Sequence, residues 1–216
     1  RESVGRIIET LRSVRKQKKI FLFLIAFFFF IDGVYTIIDM ATAYGSALGL
    51  DSTGLLLALL VTQFVAFPFS ILFGRLAEKY DTGKLILTCI AAYTGITVFA
   101  VFMKAQWQFW VLAIFVGMFQ GGIQALSRSY FAKIVPPERS GEYFGLMDIC
   151  GKGASFMGTT VVGLASQAFG SINIGVSAIV FLFLAGALFF MKTEHSGSES
   201  TKNQENIVMR QQMFHD

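Results

Sequence analysis

Six runs of apolar residues, each long enough to cross a bilayer as a helix, leave this chain little sequence for anything else. They occupy 20–48, 54–76, 85–103, 107–130, 143–169 and 172–191, and at about 1.5 Å per residue roughly 20 residues make one crossing. Only 15% of the 216 residues are charged, against about 25% in an ordinary soluble domain. A soluble enzyme is excluded, and an all-α membrane protein of six transmembrane helices is expected. A basic amphipathic segment, 1–19, precedes the transmembrane domain, 20–191, and a polar tail, 192–216, follows it. The tail has almost no apolar content before Ile207 and is expected to be mostly disordered. The start at Arg1, without Met or a signal-peptide pattern, reads as cut from something longer.

Lysine and arginine placement sets the orientation. Sixteen of the 18 lie on the side of the N-terminal segment, Lys104 alone lies on the other, and Lys152 is inside a helix. Both termini are therefore expected in the cytoplasm. Within 1–19, Val4, Ile7, Ile8, Leu11 and Val14 recur at helical spacing between basic residues, the pattern of a helix lying on an anionic leaflet. Six spans divide into two triplets of opposite starting side, which permits an inverted repeat.

Several functions are excluded by what the chain lacks. Cys89 and Cys150 lie singly in apolar runs, and His195 and His215 sit in the tail, so no metal or haem set is visible and no cofactor is expected. The net charge of +4 comes from loops between apolar runs, which gives nucleic acid no basic face to bind.

A charge deep in a spanning helix costs about 2.5–3.5 kcal/mol even on lenient scales, so each is a functional candidate. There are four: Asp32, Asp39, Asp148 and Lys152. Tyr35, Thr36, Thr42 and Ala43 extend a polar or small stripe from Asp32 and Asp39 along the first helix. Gln120, Gln124, Ser127 and Arg128 form a second stripe on the fourth helix, and Asp148, Lys152, Ser155 and Thr159 a third on the fifth. Three such stripes predict a shared wet cavity. Counting from the helix starts places Asp32 about 18 Å and Lys152 about 14 Å deep, where they can meet near the midplane. Asp148 and Lys152 also stand one turn apart, so mutual neutralisation remains an alternative, as does simple hydration of Asp39 at a helix end. Gln120 and Gln124 suit either substrate hydrogen bonding or a tie between helices. Gly117, Gly121 and Gly122, like Ala91 with Gly95 and Ala154 with Gly158, are expected to let helices pack closely. Pro68 is expected to kink the second helix. Trp107 and Trp110 read as an interfacial belt, and the Phe27–Phe30 run as lipid-facing or core residues.

The stretch Gly74-Arg75-Leu76-Ala77-Glu78-Lys79-Tyr80-Asp81-Thr82-Gly83-Lys84 resembles the signature loop of the major facilitator superfamily, with Glu78 for the usual Asp and the second glycine two positions late. A further set is Asp32-Gly33-Val34, Phe73-Gly74-Arg75-Leu76, Gln120-Gly121-Gly122-Ile123-Gln124-Ala125-Leu126-Ser127-Arg128-Ser129, Pro136-Pro137-Glu138-Arg139-Ser140-Gly141-Glu142-Tyr143-Phe144-Gly145 and Gly151-Lys152. Together these resemble the vacuole-effluxer-like branch, which includes autophagy-linked amino-acid exporters, although Ile31 replaces the Asn common before Asp-Gly-Val.

The resemblance covers about 20–191 and implies the last six helices of a twelve-helix carrier, two inverted three-helix repeats that make half of a major facilitator fold. It implies that the first and fourth helices line the cavity, the second and fifth face the other half, and the third and sixth lie outside. It also implies a gating loop of Gly74, Arg75, Glu78 and Lys79, with Glu78 paired to Arg128. Implied partners are a small polar substrate such as an amino acid, protons, the lipid bilayer and the other half of the carrier, with export across a bacterial plasma membrane. A six-helix structural or regulatory protein that self-associates is the alternative. A membrane enzyme is disfavoured, because no nucleophile and base pair is visible.

Overall fold

The computed structural model describes the backbone of residues 12–213 and the side chains of residues 12–196. Val4, Ile7, Ile8 and Leu11 of the amphipathic segment lie outside the described residues. Residues 12–16 form a helical turn that leads into six long helices: α1 (Lys18–Ala47), α2 (Ser52–Lys79), α3 (Thr82–Val101), α4 (Gln106–Ile134), α5 (Ser140–Phe169) and α6 (Ile172–Met213). A 3-10 turn, Pro137–Arg139, precedes α5, and no strand occurs among the described residues.

Local chemistry sets these bounds. Asp51 and Asp81 cap α2 and α3, their carboxylates accepting from the backbone N–H of Gly54 at 2.7 Å and Lys84 at 2.9 Å. Gln108 reaches back to accept from the N–H of Ala105 at 3.0 Å and Lys104 at 2.7 Å, satisfying donors at the start of α4. At the end of α5, Gly170 takes the left-handed conformation, with φ of 64°, that glycine adopts without strain. Pro68 sits inside α2 without ending it.

Five helices, α1 to α4 and Ile172–Ser196 of α6, are long and apolar enough to cross a membrane, which makes this an integral multi-pass membrane protein. The sequence predicts a sixth. At 30 residues α5 has the length, but Asp148, Lys152 and many Gly, Ser and Thr lower its hydropathy, and it is not among the five. A second difference lies at the end of the chain, where α6 stays helical to Met213 through much of the predicted tail. A helix already nucleated in an apolar stretch extends one residue at a time without the cost of a new nucleus.

Lipid is as apolar as phenylalanine, so the helices are held by close packing and by polar ties between them. The α2–α4 seam is close: a Cβ at Gly117 or Gly121 would stand 2.6 Å from the Thr62 carbonyl oxygen or 2.7 Å from that of Ala66. Thr62 crosses this seam, donating to the carbonyl of Ala113 at 3.1 Å. Gly33 and Gly186 make the α1–α6 seam in the same way, against Phe183 and the backbone of Phe30. At the end of the bundle that carries the basic loops, Phe23 of α1 stacks on Tyr130 and Phe131 of α4 at 5.1 and 5.3 Å. Phe27 and Phe30 are buried, so half of the Phe27–Phe30 run is core. At the opposite end Tyr44 donates to the Ala100 carbonyl at 2.6 Å and contacts Asn173 Oδ1 at 3.0 Å, joining α1, α3 and α6.

Gly121→Val is expected to lower stability by about 1–3 kcal/mol, the usual cost of overpacking. Gly95→Ala, where a Cβ meets nothing within 4 Å, is expected to leave it unchanged or slightly raised. Thermal unfolding of the two variants in one detergent checks both.

Candidate functional site

Asp32 lies at the contact between α1 and α5 and is 0% exposed. Its Oδ1 accepts from the backbone N–H of Gly158 at 2.8 Å and, more weakly, from the hydroxyl of Thr36 at 3.4 Å. Its Oδ2 is buried with no hydrogen-bond partner. The approach depends on the missing side chain at Gly158, since a Cβ there would overlap Thr36 Oγ1 and Asp32 Oδ1. The sequence predicts Gly158 as a packing position; its backbone donor to Asp32 has no sequence signal.

Around this contact polar pairs join α5 to α1 and to α4. Asp39 is exposed and its Oδ2 accepts from Ser155 of α5 at 2.7 Å. Arg128 of α4 donates to Asp148 of α5 at 2.8 Å, with both side chains about half exposed. Half-buried Tyr35 lies within electrostatic reach of Arg128, Asp148 and Asp39. Gln120 and Gln124 are half-buried, and the Gln120 Oε1 is buried without a partner. Ser127 departs from the predicted stripe, because it is fully buried and donates to the Ile123 carbonyl of its own helix at 2.6 Å.

Three pairings that the sequence offers are not made in this arrangement. Lys152 is exposed and meets neither Asp32 nor Asp148, whose partner is Arg128. A one-turn spacing permits a pair along α5, but the planar guanidinium across the helix gap takes the carboxylate instead. Glu78 makes no ion pair with Arg128: Gly74, Arg75, Glu78 and Lys79 all lie exposed on the last turns of α2.

The loop residues that do make contacts are further on. Thr82 accepts from Lys133 of α4 at 2.9 Å. Glu194 of α6 lies against Gly83 at the start of α3, where helix N-termini favour negative charge, and accepts from the Tyr130 hydroxyl of α4. Lys19 stands 5.8 Å over the Tyr130 ring. Helices α1, α3, α4 and α6 are thus tied at the basic end by residues that the sequence stripes do not include.

None of the three polar stripes lines the pocket enclosed between the helices near Tyr44. It measures about 80 Å³ and is lined mainly by apolar residues, among them Ile37, Met40, Leu59, Ile96, Phe109 and Val176. Asp39, Arg128, Asp148 and Lys152 are exposed on α1, α4 and α5 instead, and Asp32 alone of the predicted charges is buried.

A family model described as "Vacuole effluxer Atg22 like" matches residues 2–202. The chain belongs to the Atg22-like effluxer family. This Atg22-like chain is 43% identical over 204 residues to "Uncharacterized MFS-type transporter YxiO" of Bacillus subtilis, covering 94% of itself and 48% of that protein. It is 28% identical over 193 residues to Autophagy-related protein 22-2 of Aspergillus clavatus (81% of this chain, 30% of that one). With Autophagy-related protein 22 of Cryptococcus neoformans (strain B-3501A) it shares 26% over 198 residues, 84% and 35% of the two chains. The chain spans about half the length of the Bacillus relative and about a third of the fungal ones.

Gly158→Ala is expected to separate α1 from α5 and lower stability by about 1–3 kcal/mol. Asp32→Asn, which keeps an oxygen for the Gly158 N–H and removes a buried charge, is expected to cost less. Thermal unfolding of both in the same detergent distinguishes them.

Proposed function

We propose that this chain is the C-terminal half of a major facilitator carrier that moves small polar metabolites, amino acids foremost, by alternating access with proton coupling. The observation that carries the proposal is Asp32: fully buried at a helix contact, one oxygen fixed by a backbone N–H, the other bare. A proton taken up on Oδ2 removes the net charge from this buried position, and its release restores it. Such a group can report protonation to the α1–α5 contact, which a carrier needs if proton and substrate are to move together.

The face around Asp32 is half of a substrate site. Asp39 and Asp148 offer carboxylates, Arg128 and Lys152 offer cations, and Tyr35, Gln120 and Gln124 offer neutral hydrogen-bonding groups. Both signs of charge on one face suit a zwitterion, with its ammonium and carboxylate groups held apart. Closing that face into a cavity needs the other half of the carrier, in keeping with the coverage of the Bacillus relative. In the arrangement described, Arg128 is held by Asp148; a pair with Glu78 belongs to another access state, in which the loop of Gly74, Arg75, Glu78 and Lys79 acts as the gate.

Six spans in two inverted triplets are part of the proposal, with α5 crossing as the least apolar one. Helix pairing supports this: exchanging α1 with α4, α2 with α5 and α3 with α6 turns the α1–α5 and α1–α6 contacts into α4–α2 and α4–α3 and leaves α3–α6 unchanged. The α5–α6 contact has no comparable α2–α3 counterpart. Basic loops on one side support cytoplasmic termini, and the higher identity to the Bacillus protein than to the fungal ones favours a bacterial plasma membrane over a vacuolar one. Export is the expected direction, from the effluxer description of the family.

In liposomes holding the full-length carrier, a pH gradient is expected to drive accumulation of one or more labelled amino acids. Asp32→Asn is expected to abolish accumulation against a gradient while leaving exchange of substrate for substrate. Gradient-driven uptake at the unaltered rate in Asp32→Asn would remove the coupling assignment, and no uptake of any small polar metabolite by the parent carrier would remove the transport assignment.

A further inference from the structure

At the basic end of the bundle, the turn of residues 12–16 is docked rather than loose. Tyr143, fully buried at the start of α5, has its hydroxyl bonded by Gln17 Nε2 at 3.0 Å and by Ser13 Oγ at 3.2 Å. Val14, between them, is 1% exposed. This fixes where the side chain of Arg15 goes. On the same side of the molecule α1 and α5, which touch at Phe27–Gly151 and Asp32–Gly158, flank an open groove of about 530 Å³. That lies within the usual size of a small-ligand site, about 300–1,000 Å³.

The groove has two chemistries. Its walls are Phe21, Leu24 and Phe28 of α1 with Leu146 and Cys150 of α5, all apolar, while Arg15 borders it from the docked turn. Arg15 makes no hydrogen bond or ion pair among the described residues. Arg12, Lys16, Lys18 and Lys19 surround it in sequence, and no acidic residue lies between 12 and 19. An apolar slot in a membrane protein, with a guanidinium unpaired among the described residues at its edge on the basic side, matches a molecule with a hydrocarbon chain and a phosphate whose charge no cation of its own headgroup offsets. We propose that this groove is a binding site for one anionic phospholipid, its acyl chain against Phe21, Phe28, Leu146 and Cys150 and its phosphate on Arg15. The site rests on the membrane setting and the docked turn, not on the transport reading. A lipid held there touches both α1 and α5 next to the Asp32–Gly158 contact.

The test uses the whole chain in mild detergent, mixed with phosphatidylglycerol or phosphatidylcholine at equal mole fraction, with retained lipid counted by native mass spectrometry. One phosphatidylglycerol is expected to be kept over phosphatidylcholine by about fivefold, the factor that one basic residue near an anionic surface contributes. Arg15→Gln, an exposed position, is expected to bring the preference near unity, and Cys150→Trp, which fills the slot, to lower retention of both lipids. Cys150→Trp is compared only with its unfolding temperature measured alongside; Arg15→Gln stands without it. Equal retention of the two lipids by the parent chain overturns the site. So does an equal loss in Arg12→Gln, which lies off the groove and would mark diffuse attraction. A rise in phosphatidylglycerol retention on deleting residues 1–11 overturns it as well, since the chain's own segment would then be the occupant.

Discussion

Inside a bilayer a polar group finds partners only within the protein, and the Asp32–Gly158 contact is where this chain meets that constraint most severely. One carboxylate oxygen takes a backbone N–H from another helix, and this is possible only because residue 158 has no side chain to keep the helices apart. The position of α5 relative to α1 follows from that approach. So does the placement of Ser155 beside Asp39 and of Asp148 within reach of Arg128. The candidate face is therefore assembled by a contact between a carboxylate and a main-chain donor, with the surface charges arranged around it.

The rest of the bundle is held by a different means. Gly117 and Gly121 bring α4 onto the backbone of α2, and Gly33 and Gly186 do the same for α1 and α6. Close backbone approach maximises dispersion contacts where the surrounding lipid gives apolar burial no advantage. Both modes act on α5: glycine seams fix α2 on α4 and α6 on α1, Gly175 brings α6 onto α5, and Asp32, the one buried carboxylate among the described residues, ties α5 to α1.

Much of this was legible in the sequence, because the solvent imposes it. Apolar runs marked all six helices, and the expense of intramembrane charge marked Asp32 along with Asp39, Asp148 and Lys152; of these only Asp32 is buried. What was hidden has a common cause. A backbone N–H is present at every non-proline residue, so nothing marked Gly158 as a donor. Helical spacing pointed to Asp148–Lys152, whereas the partner of Asp148 is Arg128 on another helix. Glu194 and Tyr130 lay outside the polar stripes, one in a stretch predicted as tail and one in an apolar run, so their meeting over the start of α3 required tertiary structure. The pattern of α5 was read as one more span, although its Gly, Ser and Thr make it less apolar than the others.

The polar ties at the two ends bear on how the bundle can deform. Tyr44 joins α1, α3 and α6 in one leaflet, and Glu194, Tyr130, Lys133 and Thr82 join α3, α4 and α6 in the other. Helices α3 and α6 are knotted at both extremities, so torque applied to either is transmitted along the whole thickness of the membrane instead of dissipating in frayed termini. By contrast α5 belongs to neither knot: Tyr143 moors its first turn to Ser13 and Gln17, and midway along its length it bears on α1 through a glycine.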